Sequence, residues 1–178
     1  MLLTALILSA LLLSLERLTY YAVANHPERW HAACQRPPLA ALGSPVDVVH
    51  KLFYLFKMVQ AGVFLGWCMV MTGNWLPAPT ADPVMAGAGI ALMGLGLVLN
   101  ASVFARLGRV GVFYGSQLGH HVPWVQGFPF SLLKHPQYMG ALALIWGFFL
   151  LMRYPYPDWF YLPLLETALY LWGTHHEP

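Results

Sequence analysis

The sequence predicts an all-α integral membrane protein, a single domain over residues 1–178 built as a bundle of about five transmembrane helices. Three observations carry this. The chain is 58% hydrophobic and only 9% charged, whereas soluble domains carry about 25% charged residues. Its apolar residues fall in five long segments, and a span needs about 20 such residues. Pro and Gly punctuate every gap between them.

The first segment, Leu2 to Val23, has no basic leader and no small-residue cleavage site, and it continues through Glu16-Arg17. It reads as a membrane helix, not a removed signal. A four-span form with this helix lying in the interface is the alternative. The second segment, Val46 to Met71, is interrupted by Lys51 and Lys57. The third is Val84 to Phe104. The fourth, Gln137 to Met152, and the fifth, Trp159 to Trp172, are short and need their flanks to reach full depth. The connecting segments are Asn25 to Pro45, Thr72 to Pro83, Ala105 to His135 and Arg153 to Asp158.

Basic residues orient the spans. Arg17, Arg29, Arg36, Lys51 and Lys57 cluster around the first loop, and Arg106, Arg109 and Lys134 belong to the third. The second loop has none and the fourth only Arg153. The first loop, the third loop and the C-terminus are therefore expected in the cytosol. A net charge of +2, scattered along the chain, gives nucleic acid no basic face. Cys34 and Cys68 have no metal-like spacing and fall in unlike surroundings, which predicts buried, unpaired thiols.

The third loop is too apolar for a plain connector. Gly111-Val112-Phe113-Tyr114-Gly115, Phe128-Pro129-Phe130 and His135-Pro136-Gln137-Tyr138-Met139-Gly140 are dense in Gly, Pro, His and aromatic residues. Glycines let backbone approach a ligand, and Pro136 can open a helix whose free N–H groups bind an anion. Such a segment suits a cofactor pocket on the cytosolic side, near the C-terminal helices.

Other residues stand out singly. Gly94-Leu95-Gly96 in the third segment suits either helix packing or a backbone gap for a ligand. Lys57 and Glu166 lie inside apolar segments, where an ionisable residue is a functional candidate. Lys57 can instead snorkel, or meet a lipid phosphate, and Glu166 can be protonated or paired. His120-His121 form an interfacial pair or supply a base. His175-His176-Glu177 reads as a polar tail, with no ligand set fixed for a metal.

Gly94-Leu95-Gly96, Gly111 to Gly115, Pro123-Trp124-Val125, Phe128 to Phe130, His135 to Gly140 and Glu177-Pro178 together resemble the phospholipid methyltransferases, in order and spacing. These are small membrane enzymes that use S-adenosylmethionine to methylate phosphatidylethanolamine or its mono- and dimethyl forms. The likeness runs from about Leu15 to the end. The His-Pro-x-Tyr-x-Gly box also resembles the isoprenylcysteine carboxyl methyltransferases, which keeps a carboxyl acceptor as an alternative. The resemblance implies a cofactor set of Gly94, Leu95, Gly96, Tyr114, Gly115, His135, Pro136, Tyr138, Gly140, His176 and Glu177. Related enzymes have two adjacent acids at the end, and here His176 stands in the first place.

Methylating an amine requires its proton to leave. A histidine titrates near neutrality, so His121 or His120 is the expected base, with Glu166 or Glu177 behind. Trp124, Phe128, Phe130 and Tyr114 would face the methylammonium, and Lys57 the lipid. The expected setting is a bacterial inner membrane or endoplasmic reticulum, with the active site facing the cytosol, the phospholipid in the bilayer and an oligomer compatible. A non-enzymatic haem-binding or transporter-like subunit is the remaining class. Histidines confined to loops and segment ends argue against it.

Overall fold

In the computed structural model, residues 1–176 are described, and among them there are helices and no strands. The elements are α1 (Leu2–Asn25), α2 (Pro27–Cys34), a 3-10 turn (Leu39–Leu42), α3 (Pro45–Thr72), α4 (Pro83–Val112), α5 (Pro136–Arg153) and α6 (Tyr161–His176). By length and composition, α1, α3 and α4 can each cross a membrane. Their outward faces are apolar, with Leu8, Leu11, Leu15, Ile90, Leu97 and Val98 all exposed. Helices α5 and α6 are shorter, at 18 and 16 residues.

Local chemistry sets the helix ends. Ser44 and Asp47 form a capping box ahead of Pro45, the first residue of α3. Gly73 ends that helix at a positive φ of 69°, a conformation that suits glycine. Asp82 accepts from the backbone N–H groups of Val84 and Met85, at 2.9 and 3.2 Å, and starts α4.

Two stretches expected as loops are partly helical. The first contains α2, whose Pro27 start and early Glu28 are helix-opening signals. The third segment runs past Phe104 to Val112, turning at Gly108, where φ is 64° and ψ is −177°.

Helices α4 and α5 form the closest pair, and α1 packs on α3 and α6. Small residues make the α4–α5 approach close. A Cβ on Gly89 would lie 2.8 Å from the Gly147 carbonyl oxygen, and one on Gly96 2.5 Å from that of Gly140. Successive long helices reverse direction. One end of the bundle joins the ends of α1 and α6 through the Asn25 amide, which donates to the His176 carbonyl at 2.9 Å. There the Trp30 indole donates to the Pro45 carbonyl at 3.3 Å, and Arg109 pairs with Asp47 at 3.0 Å. At the other end Asp158 accepts from the Trp67 indole at 3.0 Å and from Arg153 Nε at 2.8 Å. The first and third loops thus share an end, as the basic residues predict.

Two apolar clusters fill the bundle. One, around Val23, Trp30, Val48, Val49 and Phe113, lies toward the first and third loops. The other joins Leu13, Phe64, Trp67, Phe149 and Leu162. Cys34 belongs to the first cluster and Cys68 to the second; both are free and buried, as expected.

Candidate active site

A layer of polar residues, buried apart from the half-buried Lys57, runs through the bundle. From α1 come Glu16, Arg17 and Tyr20; from α3, Lys57 and Gln60; from α6, Glu166 and Tyr170. Glu16 pairs with Lys57 at 2.9 Å and with Arg17 at 3.2 Å. Lys57 also donates to the Gln60 side-chain oxygen at 3.1 Å, and the Gln60 amide donates to Glu166 at 2.5 Å. The Arg17 guanidinium lies over the Tyr170 ring at 3.8 Å, with Tyr20 and Tyr138 each at 5.4 Å. Ionisable groups are costly inside an apolar bundle unless paired, which makes this layer a candidate site.

Two cavities meet at this layer. The first, about 480 Å³, is mostly apolar, with Glu16, Arg17, Lys57 and Gln60 on one wall and Ala61, Leu65, Met93, Leu144 and Phe148 on the others. The second, about 280 Å³, is more polar and is lined by Gly111, Tyr114, Ser116, Gln117, Lys134, His135 and Pro136, among others. Tyr20, Phe53, Gln137 and Tyr138 line both. Helix α5 begins at this junction with Pro136 at its first position, and His135 makes no side-chain cap. Pro136 has no N–H and that of Met139 donates to the His135 carbonyl at 3.1 Å, so the Gln137 N–H is the first-turn donor that suits an anion.

Of the residues singled out from sequence, Tyr114, His135, Pro136 and Tyr138 come together at the second cavity, with Phe130 on its wall. Gly115 packs against Val110 beside them. The structure does not bring all the others there. Gly96 and Gly140 meet each other across the α4–α5 seam, whereas Gly94 faces open space and Leu95 is exposed. His120 and His121 are exposed and line neither cavity. Trp124, 91% exposed, lines an outer groove that shares Leu107, Ser116, Phe130 and Lys134 with the second cavity, and Phe128 is also exposed. His176 sits apart, stacked on Trp172 at 4.6 Å. Glu177 lies outside the described residues. Lys57 does not snorkel, since it bonds inward to Glu16 and Gln60. Among the described residues no group of three His, Cys, Asp or Glu is gathered to hold a metal ion.

Sequence reasoning passed over Glu16, Arg17, Tyr20, Gln60 and Tyr170 as site residues. The signal was present for two of them: Glu16-Arg17 is a charged pair inside the first apolar segment. Gln60 and the tyrosines have no such mark.

A model of the family described as phospholipid methyltransferase matches residues 84–177. Phosphatidyl-N-methylethanolamine N-methyltransferase of Arabidopsis thaliana is 28% identical over 123 residues, covering 69% of this chain and 65% of that protein. Phosphatidylethanolamine N-methyltransferase of Homo sapiens is 38% identical over 74 residues, covering 41% of this chain and 37% of that protein. The Rattus norvegicus protein of the same name is 41% identical over 68 residues, covering 38% and 34%. The matched stretches thus span less than two thirds of these relatives. No solved structure matches. With more than half its length matched by the family model, and with α4, α5 and the cavity-lining loop inside that match, the chain belongs to the phospholipid methyltransferase family.

Proposed function

We propose that the chain methylates the headgroup amine of phosphatidylethanolamine, or of its mono- and dimethyl derivatives, toward phosphatidylcholine. The observation that carries this reading is the junction of an apolar, charge-walled cavity with a polar one at Tyr20, Phe53, Gln137 and Tyr138. Acyl chains suit the first cavity and a water-soluble methyl donor suits the second. We read the chain as one domain with five spans, α5 and α6 reaching full depth with their flanks, and with the second cavity facing the cytosol. The setting would be a bacterial inner membrane or endoplasmic reticulum.

The residues present fit S-adenosylmethionine. The start of α5 offers the Gln137 N–H for a carboxylate, the side chains of Ser116, Gln117, His135 and Gln137 offer hydrogen bonds, and Tyr114 and Tyr138 offer rings. When bound, this donor supplies an electrophilic methyl group. The protein's part is to hold the amine in line with it, a contribution that can reach about 7–11 kcal/mol. The rings of Tyr20 and Tyr138 would stabilise the methylammonium by about 0.5–2 kcal/mol each. Proton removal falls to Glu166 or to the pair His120–His121. None of the three lines either cavity: Glu166 is buried behind Gln60, and the histidines are exposed.

The test is the purified chain with labelled donor and, separately, phosphatidylethanolamine, its monomethyl and dimethyl forms, and a prenylcysteine. Label in the amino lipids supports the reading. Label in the prenylcysteine alone would move the acceptor to a carboxylate.

A further inference from the structure

We infer that Arg17, with Tyr20, is the oxyanion receptor that seats the phosphodiester of the lipid headgroup. This deepens the proposed function and rests on it for the identity of the lipid. Arg17 is 3% exposed, yet among the described residues its Nη1 has no hydrogen-bond partner. A buried guanidinium donor left open is expensive, and nearly all buried polar groups are bonded. The Tyr20 hydroxyl lies beside Glu16 and, among the described residues, has no hydrogen bond of good geometry. Both residues line the first cavity, and Tyr20 reaches the second as well.

Arg17 and Lys57 both lie within ion-pair distance of Glu16, and both act on Glu166, which bonds Gln60, so it is the open Nη1 donor of Arg17 that marks the place for an oxyanion. Arginine offers a planar fork of donors that matches phosphate geometry. The rest of the cavity is apolar, with exposed Leu65 on its wall, which suits an anion carrying acyl chains better than a free one. A phosphate here would leave the ethanolamine nitrogen, a few bonds away, at the junction lined by Gln137 and Tyr138.

The test uses the full chain in lipid nanodiscs and reads binding, not turnover. Two probes are compared: dioleoylphosphatidylethanolamine and a dioleoyl amine of similar length without phosphate. S-adenosylhomocysteine affinity is measured alongside. We expect the chain to prefer the phospholipid and Arg17→Gln to reduce that preference about tenfold, Arg17→Lys retaining part of it. S-adenosylhomocysteine affinity should stay unchanged in both. Tyr20→Phe removes only a hydroxyl, so it should fold even if Arg17→Gln does not, and should weaken the phospholipid severalfold. An unchanged phospholipid preference in Arg17→Gln or, where that variant does not fold, in Tyr20→Phe would overturn the inference. So would a loss of S-adenosylhomocysteine affinity in place of lipid affinity, which would assign the receptor to the donor's carboxylate. A chain that holds the phospholipid through Arg17 but transfers no methyl group would support the inference while sinking the proposed activity.

Discussion

Gly96 of α4 and Gly140 of α5 stand so close that each occupies the space a side chain on the other would need. A Cβ on Gly140 would lie 3.0 Å from the Gly96 carbonyl oxygen and 2.6 Å from the Asn100 amide nitrogen. This contact binds α5, with the His135–Tyr138 box at its start, to α4.

Gly96→Leu should therefore lower stability, by about 1–3 kcal/mol or more, because a packed seam does not absorb added volume. Gly94→Leu should change nothing, since nothing lies within 4 Å of a Cβ there. Thermal melts in detergent, with donor affinity measured on the same samples, check this. A Gly96→Leu protein that melts normally yet loses the donor would put the donor directly against α4.

Glu166 accepts from the Gln60 amide deep in the bundle. Glu166→Ala should cost about 1–3 kcal/mol by leaving that amide unpaired, and Glu166→Gln should recover most of it. If Glu166 is also the base, the Gln variant will fold but turn over slowly at every accessible pH. Melting curves and pH–rate profiles separate the two roles.

His120→Gln with His121→Gln should leave the melting temperature unchanged, because both side chains are exposed. Losing a general base costs about 10²–10⁴ in rate, so a near-normal rate in the double variant excludes both. A large fall that higher pH partly rescues would instead give them the role.

Cysteines introduced at Asn74 and at Gln126 should label from opposite sides of a sealed vesicle. The first follows α3 and the second lies in the α4–α5 loop, at opposite ends of the bundle. Gln126 should label from the side that holds the methyl donor. Labelling of both from one side would break the five-span reading.

Burial pushes the Cys34 thiol above its usual range. The thiolate is the reactive form, so less of it is present at neutral pH and alkylation should be slow there. The rate should rise as pH climbs, remaining below that of a free thiol until the raised pKa is passed. Mass spectrometry of timed alkylation, with Cys68→Ser to isolate the site, measures this. Rapid labelling at neutral pH would mean that α2 opens readily from the core.

Hydropathy and punctuation determined the long helices, but not α2 or the continuation of α4 to Val112. Pro45, Pro83 and Pro136 begin helices in the structure, and the basic loops share one end as their composition required. These are local properties: a capping box spans four residues and an apolar run carries its own signal. The family motifs were legible for the same reason, and Tyr114 of one and His135, Pro136 and Tyr138 of another do meet at one cavity. Only the tertiary structure decided which glycine packs against which helix, and that His120 and His121 stand outside the cavities. It alone assembled the charged wall, because Lys57 reaches Glu16 across 41 positions and Gln60 reaches Glu166 across 106. A pairing that distant leaves no periodicity in the chain, and each partner viewed alone is only an ionisable or amide residue in an apolar segment.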